Sequence, residues 1–394
     1  MKVLQINSVC GIRSTGRICT DIADVLKSEG NECIIAYGRE PAPEKYNQAS
    51  VRTDSEIGVK IHAAESRIFD NSGFARKKAS EKFIEWVKEY DPDIIHLHNI
   101  HGYYINAEVL FEYLKKAGKP VIWTLHDCWA FTGHCTHFER AGCDKWKTGC
   151  GKCPQKRKYP ASYVFDASAR NSALKKRIFS GVPDTVLVTP SQWLADYVQE
   201  SFLSSYPVKV IHNGIDIDTF KYTDSGFREK YHLKDKKILL GVSSSWGKSK
   251  GFYDFLRLQE KLNENYQIVL VGLNDQQYKE LPQGIIGIKR TDSVTELAGI
   301  YSAADVFVNP TYADNYPTVN LEAQACGTPA ITYKTGGSVE SVPENQIIKQ
   351  GDIDGLADKI RDICENGNFK IADRNSFDKR ITFKKYCELY KSMI

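Results

Sequence analysis

Two carboxylates, Asp314 and Glu322, stand with seven residues between them, and the stretch Asn315-Tyr316-Pro317-Thr318 lies in that interval. A carboxylate accepts hydrogen bonds from paired hydroxyl donors, which suits sugar and ribose diols. Pro317 fits the first turn of a helix, and Gly327 fits its end. The free N–H groups at such a helix start form a site for an anion such as a diphosphate. The plainer alternative makes Asp314 or Asn315 a helix cap and Glu322 a solvated helix residue.

Other residues carry possible chemistry. His96-Leu97-His98-Asn99-Ile100-His101-Gly102-Tyr103-Tyr104 leaves a strand as a run of polar and aromatic side chains. That mixture suits carbohydrate recognition, and His98, Asn99, His101 and Tyr103 are read as an acceptor side. Cys135, Cys143, Cys150 and Cys153 share a polar loop, residues 131–155, too long for a simple connection. Four thiolates bind zinc tetrahedrally, and a loop without a core of its own gains stability from such a clip. Only Cys150 and Cys153 have the tight knuckle spacing, so His134 or His137 could replace a ligand, and disulfides or unlinked thiols are alternatives.

The elements that must position these residues alternate. Strand signals fall at 3–7, 32–37, 93–97, 120–125 and 185–189, then at 209–212, 237–242, 267–271, 284–288, 305–309 and 329–332. They are apolar on consecutive positions, as strands covered on both faces should be. Helical segments lie between them, including 17–29, 253–262, 295–302 and 318–325. The fold class is therefore α/β: two doubly wound Rossmann-like domains in series, expected to face each other across an interdomain cleft. Ser204-Ser205-Tyr206-Pro207 marks the hinge between an N-terminal domain, 1–206, and a C-terminal domain, 207–376. Residues 377–394 read as one amphipathic helix that packs back on the first domain. Ligands of open α/β sheets bind at the carboxyl ends of the strands.

The composition sets limits. The chain has 394 residues, 42% hydrophobic and 26% charged, which is ordinary globular composition. A net charge of +4 gives no argument for a nucleic-acid partner. No apolar run approaches the ~18–20 residues that span a bilayer. The N-terminus runs into Arg13 and Arg17 instead of a cleavage site, so a cytoplasmic protein is expected. Its eleven cysteines are then thiols or metal ligands before they are disulfides. Arg67, Arg76, Lys77, Lys78 and Lys82 interleave with Phe69, Phe74, Phe83 and Trp86. This pattern suits either peripheral contact with the inner, anionic face of a membrane or a solvated helix face over a buried stripe.

The segment from Asp314 to Gly337 resembles the Glu-x7-Glu region of the GT-B fold, family 4 retaining glycosyltransferases, with Gly327-Thr328-Pro329 and Gly336-Gly337 matching two further elements. An aspartate fills the first acidic position. The resemblance implies that Asp314 contacts the transferred sugar, that Glu322 contacts the nucleotide ribose, and that Asn315, Tyr316, Pro317 and Thr318 contact sugar and phosphate. It matches Lys250, in Gly247-Lys248-Ser249-Lys250-Gly251, to a lysine that neutralises the donor diphosphate; a solvated surface lysine is the alternative. The family's arginine has no clear counterpart, and Lys248 is a candidate substitute lacking the guanidinium fork. His126, in Thr124-Leu125-His126-Asp127, matches a histidine that touches the donor sugar. Gly16 matches a flexible glycine loop near the donor phosphate, and Arg290 sits where the base is held. His212-Asn213-Gly214-Ile215-Asp216 also matches. The implied activity moves a sugar from a nucleotide-diphosphate sugar to a glycan or lipid-linked acceptor hydroxyl in surface polysaccharide synthesis. No cofactor is implied for catalysis, and zinc enters only as a structural ion in a cysteine loop similar to one in a bacterial surface-polysaccharide branch. A nucleotide-sugar epimerase of the same fold and a non-catalytic sugar-nucleotide-binding subunit are the rival readings.

Overall fold

Consecutive apolar residues become buried parallel strands in both halves of the chain. The computed structural model describes all 394 residues apart from the side chain of Arg140. It divides into two units, Met1–His212 with Phe383–Ile394, and Asn213–Thr382.

The first unit holds β1 (Lys2–Ile6), β2 (Glu32–Tyr37), β3 (Ser50–Arg52), β4 (Ile94–Leu97), β5 (Val121–Thr124), β6 (Thr185–Thr189) and β7 (Val208–Val210). They form one parallel sheet in the order β3-β2-β1-β4-β5-β6-β7. Side chains alternate between its faces. Leu4, Leu97, Trp123 and Leu187 enter one core. Val3, Ile94, Ile122 and Val188 enter the other, against Ile18, Ile22 and Leu26 of the helix Arg13–Ser28. Phe383, Tyr386 and Tyr390 of the final helix, Lys379–Lys391, complete that second core. Two of them also satisfy buried polar atoms. The Tyr390 hydroxyl lies 2.6 Å from His96 Nδ1, and the Tyr386 hydroxyl lies 3.1 Å from Thr124 Oγ1.

The second unit holds β8 (Lys237–Val242), β9 (Tyr266–Val271), β10 (Ile285–Ile288), β11 (Val306–Asn309), β12 (Ala330–Tyr333) and β13 (Ile347–Ile348). The order is β10-β9-β8-β11-β12-β13, again parallel throughout. Its faces pack into two cores, one around Ile238, Leu240, Phe307 and Leu321, the other around Leu239, Leu270, Val308 and Ile331.

Several boundaries differ from the sequence expectation. The strand expected at 209–212 to open the second domain is β7, paired to β6 at the edge of the first sheet. Val208 and Val210 are only half-buried and Lys209 is exposed, so the apolar pattern that marks sheet membership is weak there. The first helix starts at Arg13, a turn earlier than its apolar spacing suggests, because its opening turn is polar. The final helix starts at Lys379, since Arg374–Phe377 forms a separate turn. The edge strands β3 and β13, three and two residues long, are too short to announce themselves.

Two further expectations change. The loop 131–155 is not core-free. Phe131, Phe138 and Trp146 are buried, and the Trp146 ring lies 5.3 Å from Phe131 and 4.8 Å from Phe138. In the helix Lys77–Tyr90, Phe83 is buried and stacks on Trp86, and Phe74 also packs against the core. That helix carries a buried stripe, Ser80, Phe83, Ile84 and Val87, with Lys77, Lys78 and Lys82 exposed.

Replacing Tyr390 by Ala removes a fully buried ring, and urea unfolding should show a loss of ~3–5 kcal/mol. Tyr390→Phe keeps the ring but leaves His96 Nδ1 without its partner, and should cost ~1–3 kcal/mol.

Candidate active site

Parallel sheets place their switch points where neighbouring strands lead to opposite sides, and ligands bind outside the carboxyl ends there. In the second unit that point lies between β8 and β11. The loop after β8 ends in the turn Lys248–Lys250, closed by Gly251 at φ 70°. A Cβ on Gly251 would lie 2.3 Å from the Pro310 carbonyl oxygen, so only glycine lets this turn rest on the end of β11. Tyr312 N donates to Ser249 O at 2.8 Å and ties the two loops together. The result is an ion pair between residues far apart in sequence: Lys250 Nζ donates to Asp314 Oδ2 at 2.5 Å.

The helix predicted at 318–325 is Thr318–Ala325, with Pro317 at the cap position. Pro317 has no capping side chain, and Asp314 instead accepts from Lys250 and from Asn315 N at 3.0 Å. Asp314 is therefore turned to the lysine, not to the helix start. Glu322 is not a solvated residue: it is buried, and Tyr301 donates to its Oε2 at 3.0 Å. Tyr316 and Asn315 are also buried, and Asn213 Nδ2 donates to the Tyr316 carbonyl at 3.2 Å. Gly214 beside it has a packing reason, since a Cβ there would lie 2.6 Å from Lys379 Cα. Arg290 follows β10 and is exposed. Lys248, the proposed stand-in for the family's arginine, is exposed as well.

Sequence reading missed the polar layer behind this helix. Asn309 Nδ2 donates to Asn320 Oδ1 at 2.9 Å, and Asn320 Nδ2 donates to Ser341 Oγ at 2.8 Å. Gln324 Nε2 donates to the carbonyls of Asn320 and Ser341. Amides one helical turn apart, facing a strand end, were the available signal.

In the first unit the switch point lies between β1 and β4. Gln5 and Asn7 leave β1 there, His98 and Asn99 leave β4, and His126 follows β5. Gln5 and Asn7 are fully buried and were not singled out by sequence. His98 Nε2 lies 2.9 Å from Gln5 Oε1, whose amide nitrogen donates to Cys19 O. His98 Nδ1 lies 3.0 Å from His126 Nε2. Burial pushes both imidazoles toward the neutral form; in His126 it holds the pKa down to about 4 against the opposing pull of Asp127. With Gln5 oxygen as acceptor, His98 carries its proton on Nε2, so its Nδ1 accepts from His126 Nε2–H. His126 Nδ1 is then an acceptor.

Gly16 lies in the first turn of its helix and not in a loop, and Gly11 N donates to its carbonyl at 3.0 Å. A Cβ on Gly16 would lie 3.1 Å from Gly11 N, so glycine permits that close approach. Of the expected acceptor residues, His98, His101 and Tyr103 are buried, and Asn99 is partly open. His101 bridges Asp127 Oδ2 at 2.9 Å and the Tyr159 hydroxyl at 3.3 Å.

The four loop cysteines line one small cavity. Among the described residues no three His, Cys, Asp or Glu side chains converge as a metal-holding group. His134 is committed elsewhere: its Nδ1 lies 2.5 Å from Asp70 Oδ1, and its Nε2 3.4 Å from Lys158 O.

Two doubly wound parallel sheets in one chain are the architecture of the GT-B fold. Sucrose-phosphate synthase from Thermosynechococcus elongatus shares the fold with a TM-score of 0.71 at 16% identity, over 100% of this chain and 98% of that one. Anabaena Alr3699/HepE, solved in complex with UDP, does so with a TM-score of 0.68 at 16% identity over 100% of both chains. The same protein has also been solved with UDP-glucose. Residues 15–219 match Glycosyltransferase Family 4, and residues 225–382 match Glycosyl transferases group 1. The chain belongs to glycosyltransferase family 4 and is a glycosyltransferase. It is 24% identical over 385 residues, 89% of each chain, to a protein of Escherichia coli strain K12 named as the colanic acid biosynthesis glycosyl transferase WcaC.

The buried imidazoles make the first unit acid-sensitive. His62 and His126 are held near 4, and His96 and His98 well below the usual 6.5, in each case mainly by burial. A depressed pKa adds stability that is full above about 6.5 and is lost as pH falls through the folded value. Thermal melts should therefore fall steadily from pH 6.5 toward 4, and His62→Gln should flatten that fall.

Proposed function

We propose that this glycosyltransferase moves a sugar, with retention at the anomeric carbon, from a nucleotide-diphosphate sugar to a glycan or lipid-linked acceptor hydroxyl in surface polysaccharide synthesis. The observation that carries the proposal is the Lys250–Asp314 pair beside the start of the helix Thr318–Ala325. In this reading the donor diphosphate takes Lys250 from Asp314. The lysine and the helix start at Thr318 stabilise charge as the anomeric carbon–oxygen bond breaks, with Asn315, Tyr316 and Pro317 in contact with sugar and phosphate. Asp314, released, accepts from sugar hydroxyls, while Glu322, already oriented by Tyr301, accepts from the ribose. His126 Nδ1 accepts from a donor-sugar hydroxyl. Gly16 gives the phosphates room, and Arg290 stands near the base. The acceptor oxygen bonds to the anomeric carbon on the face the diphosphate leaves, and its proton passes to the departing phosphate oxygen. Asn99 meets the acceptor, with His98, His101 and Tyr103 supporting it from behind. HepE, which shares the fold, binds UDP and UDP-glucose, and the E. coli relative's name concerns colanic acid.

A membrane-borne acceptor is favoured by one surface. No described helix is long and apolar enough to cross a membrane. The helix Glu56–Phe69 exposes Ile57, Ile61, Ile68 and Phe69. Tyr163, Val164 and Phe165, each more than half exposed, run beside its end, and the Tyr163 and Phe165 amides donate to the Arg67 and Ile68 carbonyls. Phe165 stacks on Phe69 at 5.8 Å. Arg67 flanks this strap, and Lys156 donates to the Val164 carbonyl at 3.0 Å. Glu56 and Glu65 share the helix, but Glu56 is paired with Lys60. Aromatic side chains with adjacent cations suit an anionic bilayer surface.

A nucleotide-sugar thermal-shift screen should find a stabilising donor for the wild type, and Asp314→Ala and Glu322→Ala should lose most of that shift. Lys250→Ala should lower kcat/KM by ~10²–10³, with partial recovery in Lys250→Arg. A wild type stabilised by no nucleotide sugar would sink the donor assignment. Flotation with phosphatidylglycerol vesicles should carry the chain upward, and Val164→Ser with Phe165→Ser should abolish that without changing the donor-induced shift. Equal binding by wild type and the double variant would remove the membrane assignment.

A further inference from the structure

Resting on the acceptor reading above, we propose that Arg39 and Arg67, gathered around Tyr103, form a subsite for a phosphate or diphosphate group carried by the acceptor. Arg39 follows β2 at the carboxyl edge of the first sheet, and its amide donates to the Ser8 carbonyl beyond β1 at 2.9 Å. Gly38 before it passes so close to Tyr104 that a Cβ there would lie 2.0 Å from Tyr104 Cβ. Only glycine permits that approach, and it fixes where the arginine side chain begins. The guanidinium lies 6.0 Å from the centroid of the Tyr103 ring and donates to the Tyr159 hydroxyl. That hydroxyl lies 3.3 Å from His101 Nδ1, and His101 Nε2 faces Asp127 at 2.9 Å. Three contacts therefore connect Arg39 to the neighbour of His126. Tyr103 is buried and holds a left-handed backbone, φ 72°. Such strain in a bulky residue is kept where the position of the side chain matters.

The two arginines lack a counter-charge. Among the described residues neither has a carboxylate within ion-pair distance. The acids of the adjoining segments are committed elsewhere: Glu40 to Arg13, Asp54 to Arg76, Asp70 to His134 and Asp127 to His101. Glu65 stands two residues before Arg67 in the helix Glu56–Phe69, so it points from another face, and it acts on Arg76 instead. Burial pushes the Tyr103 hydroxyl up, and Arg67 and Arg39 are the cations that oppose it, which sets both positive charges around one ring. A guanidinium presents a planar fork of donors that matches phosphate oxygens. One chain segment links the parts. It starts at Tyr159, which accepts from Arg39. Tyr163 N then donates to the Arg67 carbonyl at 2.7 Å, and the segment ends in the exposed Val164 and Phe165. A lipid-linked acceptor lying along it sets its chain on those apolar residues and its phosphate oxygens on the two arginines. Its sugar hydroxyls then point toward His126. A sugar phosphate free in solution carries the same anionic group.

Calorimetry on the full chain tests this with geranyl diphosphate, geraniol and glucose 1-phosphate. Geranyl diphosphate should bind the wild type and geraniol should not. Arg39→Gln should weaken geranyl diphosphate by about tenfold or more, and Arg67→Gln by about three- to tenfold. Arg67 is exposed, so its variant still decides should Arg39→Gln fail to fold. Lys250→Ala should bind geranyl diphosphate as the wild type does, which separates this subsite from the diphosphate site in the second unit. The donor-induced thermal shift should be unchanged in Arg39→Gln, so failure here is distinguishable from failure of the donor reading. Tighter binding of geranyl diphosphate than of glucose 1-phosphate, both dependent on Arg39, assigns the lipid-linked source; equal binding with that dependence assigns a soluble sugar phosphate. Unchanged affinity for both phosphates in the two arginine variants overturns the proposal. So does binding that is lost in Lys250→Ala and kept in Arg39→Gln.

Discussion

Parallel strands cannot be joined by tight turns. Each must be followed by a crossover, so every loop leaving a carboxyl end emerges on the same edge of its sheet. That constraint builds both halves of this protein. It puts the loop after β8 beside the loop after β11, and so lets Lys250 reach Asp314 across 64 positions of sequence. It likewise puts Gln5, His98 and His126 in one hydrogen-bonded line at the ends of β1, β4 and β5.

What those edges hold is set by burial. A polar side chain taken out of water must find partners inside the protein. Asn320 and Gln324 meet this need with Asn309 and Ser341, and in doing so they fix the helix that follows Pro317. His98 meets it with Gln5 and His126, which settles where each imidazole carries its proton. His98 also fixes the orientation of His126, and Tyr301 fixes that of Glu322. The Lys250–Asp314 pair is different. It is partly exposed, so it contributes at most about 1 kcal/mol to stability and can be exchanged for a ligand's charge.

The cysteine loop follows the same logic outside the sheet. Its aromatic residues join the core of the first unit, and Lys175 is buried there with its Nζ donating to the Trp129 and Thr132 carbonyls. Both features come from residues that are unremarkable in one dimension: a tryptophan and two phenylalanines spread along a polar stretch, and a lysine in the helix Ser168–Phe179.

The doubly wound fold, the helix after Pro317 and the paired acids were legible in sequence. Runs of buried strand residues, a proline at a helix start and a glycine at its end are local signals, and local chemistry dictates them. The strand at 208–210 was legible as a strand but not by its sheet, because pairing partners are chosen by distant residues. Tertiary structure alone decided that Lys250 lies against Asp314, that Glu322 is buried under Tyr301, and that His98 and His101 face inward. It also put Phe165 on Phe69 and Lys175 against Trp129. Each of these is a contact between residues brought together by chain crossovers, and no spacing rule along the sequence encodes such a meeting.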